Sequence, residues 1–315
     1  MALFRHTHDL PAEARGGVVA IGNFDGVHRG HRAVLDEAQA RARELGTHAS
    51  VLTFEPHPFQ LFKPDAPPFR LATLRTKVRL LEACELAHLF VLPFDWELAG
   101  YSPEAFVSDI LVDGLNAKHL VVGEDFRFGR KRAGDVELLR ALGDGHGFGV
   151  SAMAPVLDDD GQVISSSRIR DALRAGEVDE ATALLGRPWE IEGRVQHGDK
   201  RGREIGFPTA NIALGEMLEP AHGIYAVRAG VDAGAETEWW DGAAYVGRRP
   251  TVTEGSPGVL FETHLLDVDP DLYGEHLRVQ VHGFIRGDWA FDGLDALKAQ
   301  IARDCESARA ALRGG

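Results

Sequence analysis

The sequence has few of the features that mark secreted, membrane-spanning or zinc-binding proteins. It holds only two cysteines, Cys84 and Cys305, and no CxxC or Cys/His cluster offers a structural zinc site. No stretch approaches the roughly 18 apolar residues that a membrane-spanning helix needs. The first residues, MALFRHTHDLPAEARGG, lack the apolar core of a secretory signal. These absences predict a cytoplasmic protein that does not bind membranes and whose cysteines are reduced and buried.

An excess of positive charge is also missing. The chain carries 34 Lys and Arg against 48 Asp and Glu, a formal net charge of −14. Nucleic-acid binding needs cations that displace condensed counterions from the phosphate backbone, so we expect no nucleic-acid partner. The acidic net charge does not exclude small phosphate ligands, because helix N-termini and a few arginines can bind them in an acidic protein. A Walker-type GxxxxGK[ST] loop occurs nowhere in the chain.

The first part of the chain alternates strand-like and helix-like segments. GVVAIGNF (17–24) and HASVLTF (48–54) read as buried strands, and the segment from His31 to Leu45 between them has a helical apolar stripe. The same alternation continues with strands at HLFVLPF (88–94), KHLVVGEDF (118–126) and GVSAMAPVL (149–157), with helices around Thr73–Leu86 and after Ser102-Pro103. This spacing predicts an α/β domain with a doubly wound parallel sheet.

After Gly186 the pattern changes to short strand-like runs separated by Gly, Pro and Asp. A clear helical period returns only between about Phe291 and Leu312. Consecutive strands with one terminal helix predict a small antiparallel β-barrel. We therefore predict two domains, residues 1–186 and 187–315, because the chain length is about twice that of a usual domain.

The sharpest local signal is GNFDGVHRGH (22–31), where the first strand passes into the first helix. Ligands of open parallel sheets bind at the carboxyl ends of the strands, where helix N-termini present amide groups to phosphate. Gly22, Gly26 and Gly30 allow tight turns and a close approach of the backbone to a ligand. His28 and His31 are three residues apart, so both can point toward one polyphosphate and stabilise charge on it.

This motif resembles the HxGH-type signature of nucleotidyltransferases, in the form found in the bacterial bifunctional riboflavin kinase/FAD synthetase family. LTFEPHP (52–58), VVGEDFRFG (121–129) and ISSSRIR (164–170) also resemble segments of that family, in the same order. The resemblance implies catalytic roles for His28 and His31. It implies ATP or phosphate binding by Gly22, Asn23, Phe24, Asp25, Gly26, Gly30, Ser165, Ser166, Ser167 and Arg168. It implies flavin binding by Asp125, Phe126, Arg127 and Phe128.

A second group of motifs follows Gly198. Gly198, Gly202 and Gly206 expose backbone, and Lys200 adds a cation within GDKRGREIGFPTANI (198–212). The segment resembles the PTAN motif of riboflavin kinases, which implies phosphate binding by Gly198, Lys200 and Gly206. Thr209 and Asn211 supply hard oxygen ligands of the kind that Mg²⁺ prefers.

Further segments resemble the rest of that kinase domain, namely HGIYAV (222–227), RRPT (248–251), FETHLLD (261–267) and DLYG (271–274). Glu262 stands where the family places its catalytic base, which would accept the proton of the riboflavin 5′-hydroxyl. Two positions depart from the family pattern. Tyr245 stands where Asn is expected, and Thr76 stands where Glu is common.

The resemblance implies a bifunctional enzyme that phosphorylates riboflavin to FMN and then joins FMN to an adenylyl group to give FAD. ATP is the co-substrate of both steps, Mg²⁺ is the implied cofactor, and the flavin is substrate and product. Two alternatives remain at this point: another cytidylyltransferase-like enzyme with an appended flavin-binding barrel, and a non-catalytic flavin-binding regulator. The sequence leaves the oligomeric state open.

Overall fold

Residues 1–196, 205–248 and 259–314 are described by a computed structural model. The chain forms two units. The first contains Met1–Pro67 and Lys77–Ile164, and the second contains Pro68–Thr76 and Ser165–Gly315. The predicted boundary at residue 186 stays a prediction, because the second unit takes in two segments that precede it.

The first unit is built on a six-stranded sheet with the order β1-β4-β3-β2-β5-β6, in which every pair of neighbours is parallel. Its strands are β1 (Ala2–Phe4), β2 (Val18–Ile21), β3 (Ala49–Glu55), β4 (His88–Pro93), β5 (His119–Gly123) and β6 (Gly149–Met153). All residues of β2 are buried, as its unbroken apolar sequence requires. The predicted doubly wound α/β fold is confirmed, with β2 ending earlier than its sequence suggests.

The helices from the first part of the chain are α1 (Arg29–Glu44), α2 (Pro58–Phe62), α3 (Leu74–Glu82), α4 (Pro103–Ala105) and α5 (Val136–His146). The predicted cap Ser102 accepts a hydrogen bond from the Ala105 amide at 3.1 Å. After α4 the chain continues as a π-helix over Phe106–Gly114, which the apolar pattern did not predict. Short 3₁₀ turns lie at Ala12–Ala14, Leu98–Gly100 and Arg130–Arg132.

Strand β2 lies at the centre of this sheet, between β3 and β5. The chain continues from β2 to β3 on one side and returns to β5 on the other. The point where the direction reverses opens a crevice at the carboxyl ends of β2 and β5, which is the usual ligand site of such sheets. The histidine motif follows β2 and the predicted flavin segment follows β5.

The second unit holds a six-stranded sheet with the order β7-β12-β9-β10-β11-β8, in which all neighbours are antiparallel. Its strands are β7 (Trp189–Arg194), β8 (Ala210–Ala213), β9 (Gly223–Val231), β10 (Trp240–Arg248), β11 (Val259–Leu265) and β12 (His276–Arg286). The Gln196 amide donates to the Asn211 carbonyl at 2.9 Å, and this bridge joins the two edges of the sheet. The predicted antiparallel barrel is confirmed.

The helices of this unit are α6 (Ser166–Ala175), α7 (Val178–Leu185) and the terminal α8 (Leu294–Arg313), with a 3₁₀ turn at Gly234–Glu236. Helix α8 packs on the sheet through Cys305, Ala308 and Leu312. Residues 68–76 are fastened to the barrel by hydrogen bonds. The Trp189 indole donates to the Leu71 carbonyl at 2.9 Å, and the Thr76 amide donates to the Glu192 carboxylate at 3.1 Å.

Candidate active sites

The two histidines of the first motif form one compact group at the start of α1. His28 is the N-cap of the helix, and its Nδ1 accepts a hydrogen bond from the His31 amide at 3.3 Å. The two rings stack with centroids 3.6 Å apart and planes 19° apart. Because Nδ1 of His28 is an acceptor, the proton of the neutral ring lies on Nε2, which is then a donor for a ligand. The two imidazoles lie side by side, and their action on a polyphosphate stays a prediction.

The loop that leads to this helix has an unusual backbone. Phe24 and Val27 adopt positive φ angles of 48° and 42°, and Gly26 lies at 84°. Phe24 and Val27 are both buried. Residues other than glycine adopt positive φ angles rarely and at a cost in conformational free energy. The Phe24 ring lies 5.2 Å from that of His31, so the loop conformation and the histidine pair support one another. Asp25 is also buried, while Asn23 is exposed.

Gly30 lies at a crowded place at the helix start. A Cβ atom there would lie 3.1 Å from the His28 ring and 3.2 Å from the Ile164 carbonyl oxygen. The Ile164 carbonyl, in the same unit, thus lies beside the histidine pair. Gly22 is similarly close to its surroundings, because a Cβ there would lie 3.2 Å from the Phe24 ring.

The serine motif forms the start of α6 in the second unit. Ser165 caps the helix by accepting a hydrogen bond from the Arg168 amide at 3.3 Å, while Ser166 and Ser167 occupy its first turn. The Arg168 guanidinium contacts Glu180 at 2.8 Å, and Arg170 donates to the Phe69 carbonyl at 2.8 Å. A role of Arg168 on phosphate stays a prediction.

The segment predicted to bind flavin turns sharply after β5. The Phe126 amide donates to the Gly123 carbonyl at 3.0 Å, and the rings of Phe126 and Phe128 stack with centroids 5.5 Å apart. Asp125 and Arg127 are exposed, whereas Phe128 belongs to the buried core. Phe128 therefore supports the loop from beneath. Asp125, Phe126 and Arg127 are better placed than Phe128 to contact a flavin directly.

The second unit contains a cavity of about 510 Å³ between the antiparallel sheet and α8, within the size range of small-molecule sites. Its lining mixes aromatic and apolar side chains with a few ionisable groups. The lining residues are Ile205, Phe207, Thr209, Ile224, Ala243, Ala244, Tyr245, Glu262, His264, Arg286, Asp288, Trp289, Phe291, Leu297, Ile301, Asp304 and Cys305.

Strand register brings the predicted kinase residues together at this cavity, whose wall contains Thr209 and Glu262. Glu262 on β11 pairs with Asn211 on β8 and with Tyr245 on β10. Directly paired residues of antiparallel strands project from the same face. The Asn211 side-chain amide also donates to the Thr209 carbonyl at 3.3 Å. Glu262 and Asn211 thus share one face of the sheet, although 50 positions separate their numbers in the sequence.

Thr209 also lines a second, smaller cavity of about 40 Å³. The other side of this cavity is formed by residues 268–273, which include most of the DLYG segment. Thr209 therefore lines both cavities. Gly206 is exposed with a φ of 91°, and the predicted phosphate-binding residues Gly198 and Lys200 lie outside the described residues.

Several residues that line the cavity belong to none of the sequence motifs, so the sequence did not predict them as site residues. The Arg286 guanidinium binds Asp304 through two contacts, Nε to Oδ1 at 2.9 Å and Nη2 to Oδ2 at 2.6 Å. The same guanidinium lies 4.6 Å from the Trp289 ring centroid and 5.7 Å from that of Phe291. These groups come from β12, the segment after it and α8, so only the fold brings them together.

Tyr245, the departure from the family pattern, lies beside Glu262 in the cavity wall. Burial raises the pKa of the Tyr245 phenol above its ordinary value, and the charge of the hydrogen-bonded Asp288 carboxylate raises it further. Its hydroxyl lies over Gly247, where an added Cβ would come within 2.1 Å. The phenol is therefore neutral near pH 7 and faces Asp288.

One other group of metal-ligand residue types lies close together among the described residues: Glu192, Asp232 and His276, with ligand atoms within 4.8 Å of one another. The Arg75 guanidinium lies 2.5 Å from Asp232, and Glu192 accepts from the Thr76 amide at 3.1 Å. We interpret this group as an ion-pair network that holds residues 68–76 on the barrel. It is separate from the predicted ligands Thr209 and Asn211.

Comparisons with known proteins match both parts of the chain. The FAD synthetase family model matches residues 10–168 and the riboflavin kinase model matches residues 185–312. A solved chain from Streptococcus pneumoniae, described as a macrolide-efflux protein, is 32% identical, with a TM-score of 0.84 and 98% of each chain covered. In the part of the chain that the structure describes, no helix has the length and apolar character to span a membrane.

The curated relatives extend over nearly the whole chain. The bifunctional riboflavin kinase/FMN adenylyltransferase of Escherichia coli strain K12 is 44% identical, covering 98% of this chain and 97% of its own. Proteins of the same description from Pseudomonas fluorescens and Bacillus subtilis are 43% and 37% identical. Since both family models match in order and the relatives align from end to end, the protein belongs to the bifunctional riboflavin kinase/FMN adenylyltransferase family.

Proposed function

We propose that this chain makes FAD from riboflavin in two steps, each carried out by one of its sites. The observation that carries the proposal is the place of Glu262 in the wall of a cavity of about 510 Å³, where it is paired across the strands with the buried Asn211. A carboxylate, an amide and an aromatic lining suit a flat, polar-tailed substrate such as riboflavin. The histidine pair at the carboxyl end of β2 supplies a second, separate phosphate site.

In the kinase step, riboflavin would lie in the cavity with its 5′-hydroxyl toward Glu262. As the hydroxyl oxygen bonds to the γ-phosphorus of ATP, its proton passes to Glu262 and ADP leaves. Trp289, Phe291 and Phe207 offer aromatic surface for the flavin ring. Thr209, which lines both cavities, stands where the hydroxyl and the nucleotide would meet.

We propose Mg²⁺ as the metal of this step. The donor set fits: Thr209 and Asn211 offer neutral hard oxygens, and Asn211 is held by its hydrogen bond to the Thr209 carbonyl at 3.3 Å. Mg²⁺ prefers such oxygens and shares them with nucleotide phosphates. When bound, it would neutralise charge on the transferred phosphoryl group.

In the adenylyl step, a phosphate oxygen of FMN would attack the α-phosphorus of ATP and pyrophosphate would leave. His28 and His31 would donate hydrogen bonds to the phosphate oxygens on which charge develops. Amide groups at the start of α1 add favourable dipoles there. Ser165 and Arg168 are proposed to bind the triphosphate, and residues 125–127 to contact the flavin.

The direct test incubates the purified protein with riboflavin, ATP and Mg²⁺ and separates FMN and FAD by chromatography. We expect FMN to form first and FAD to follow. Omission of Mg²⁺, or its replacement by Ca²⁺, tests the choice of metal. A protein that binds riboflavin without producing FMN would support a non-catalytic regulator instead.

Glu262→Gln isolates the proton acceptor, because it keeps the shape of the side chain and removes the carboxylate. We expect the kinase kcat to fall about 10²–10⁴-fold, with riboflavin affinity and conversion of supplied FMN to FAD retained. Wild-type kinase kcat in this variant would exclude Glu262 as the base.

A further inference from the structure

The loop between β2 and α1 is held by a buried side chain on the neighbouring strand. Thr53 on β3 is fully buried, and its hydroxyl donates to the Asn23 carbonyl at 3.2 Å. Asn23 itself is exposed and lies just before the residues with positive φ. The contact therefore joins the rigid sheet to the first residue of the loop that carries the histidines.

This hydrogen bond begins where the backbone ladder ends. Strands β2 and β3 are paired up to Ile21 and Leu52, and the Gly22 amide still donates to the Leu52 carbonyl at 3.1 Å. One residue further along, β2 leaves the sheet and the Thr53 hydroxyl replaces the next backbone contact. The side chain thus extends the pairing of the two strands by one residue.

The loop needs such an attachment because its conformation is costly. Phe24 and Val27 hold positive φ angles of 48° and 42°, and conformations of this kind persist only when the surroundings fix them. Phe24 also contacts His31 through ring centroids 5.2 Å apart. A shift at Asn23 would therefore move Phe24 and, through it, the histidine pair.

We propose that Thr53 is a positioning residue for adenylyl transfer: its hydroxyl fixes the Asn23 carbonyl and thereby the donors of His28 and His31. The proposal rests on the proposed role of those histidines. Thr53 does not itself reach the reacting phosphates. It acts on the geometry of the transition state, where small displacements of catalytic groups lower the rate strongly.

The test compares Thr53→Ser with Thr53→Ala, which lose the same methyl group and differ only in the hydroxyl. With FMN and ATP as substrates, we expect Thr53→Ala to lower the kcat of FAD formation about tenfold, on the scale of one hydrogen bond. KM for FMN should change by less than about twofold, because the loss concerns the transition state. Thr53→Ser should keep a kcat within about twofold of wild type.

Two controls make the result specific. Ser50→Ala removes another buried hydroxyl from β3, one with no hydrogen-bond partner among the described residues, and it should leave FAD formation unchanged. Riboflavin phosphorylation by the same samples, and their thermal unfolding, report the folding of the chain. Equal losses in Thr53→Ser and Thr53→Ala, or an unchanged kcat in both, would overturn the proposal. Absence of FAD formation in the wild-type protein would instead overturn the proposed function.

Discussion

The two candidate sites of this protein are built on opposite principles. In the parallel sheet, the site lies in a loop after one strand, and residues 22–31 carry nearly all of its distinctive chemistry. In the antiparallel sheet, the site lies on a face of the strands, and the residues that line its cavity come from β9, β10, β11, β12, α8 and the segments between them. The first site depends on local backbone conformation, and the second depends on strand register. A single sequence motif therefore describes the centre of the first site, whereas the residues of the second are spread over several segments.

The same contrast applies to what each site requires for stability. The histidine loop needs positive φ angles at Phe24 and Val27, so it depends on surroundings that hold a costly backbone. The barrel cavity uses ordinary extended strands and depends on buried charge pairs such as Arg286–Asp304. Removing one partner of such a pair leaves an uncompensated charge in the wall.

The largest effect that separates the two sites should come from Asn211→Ala. This change removes a proposed metal ligand and the partner of Glu262 across the strands. We expect no detectable FMN from riboflavin, while supplied FMN is still converted to FAD. The measurement is product formation over a Mg²⁺ titration. Wild-type FMN production at every Mg²⁺ concentration would refute the role of Asn211.

The reverse effect should come from His28→Ala. Loss of one preorganised donor typically costs about 10²–10³ in rate, so conversion of FMN to FAD should fall by that factor. The change also removes the cap that accepts from the His31 amide, and His31→Ala, which keeps this cap, is the matched variant. Riboflavin phosphorylation should be unchanged in both. Near-normal FAD synthesis by the variant that carries both His28→Ala and His31→Ala would refute the assignment of this site.

A smaller effect concerns where the two regions can be separated. We expect a fragment of residues 187–315 to fold and to phosphorylate riboflavin without making FAD. That fragment lacks residues 68–76, so the Trp189 indole and Glu192 lose the hydrogen bonds to Leu71 and Thr76. It also lacks α7, which buries Leu184 and Leu185.

We therefore expect a fragment of residues 165–315 to unfold at a temperature at least about 4 °C higher than that of 187–315. Calorimetry or circular dichroism measures the difference. Identical midpoints of thermal unfolding would show that the helices before residue 187 do not stabilise the barrel.

The smallest effect probes the occupant of the cavity. Burial raises the pKa of the Cys305 thiol to about 11, so only about one thousandth of it is thiolate at pH 8. In a Cys84→Ser variant, iodoacetamide should modify Cys305 slowly, faster as the pH rises, and more slowly still with riboflavin present. Mass spectrometry follows the reaction. A rate that riboflavin leaves unchanged would mean that the flavin binds away from this cavity wall.

The sequence by itself determined the fold class of both regions, the family and the position of the histidine motif at the start of a helix. Alternating strand and helix periods specify a parallel sheet, and GNFDGVHRGH places its two histidines within one turn of a helix start. These features are local, because each depends on residues a few positions apart. The Ser102 cap was predictable for the same reason.

Only the tertiary structure decided which distant residues meet. Nothing in the spacing of Asn211, Tyr245 and Glu262 shows that they pair across three strands, because register is set by turns and packing along the whole sheet. The bidentate contact of Arg286 with Asp304 and the attachment of residues 68–76 to the barrel also join positions far apart in the chain. In the sequence, Thr53 is one of several residues of a buried strand. Only the structure shows that its hydroxyl donates to the Asn23 carbonyl. Long-range contacts of this kind follow from the packing of whole elements, whereas a motif reports only the chain immediately around it.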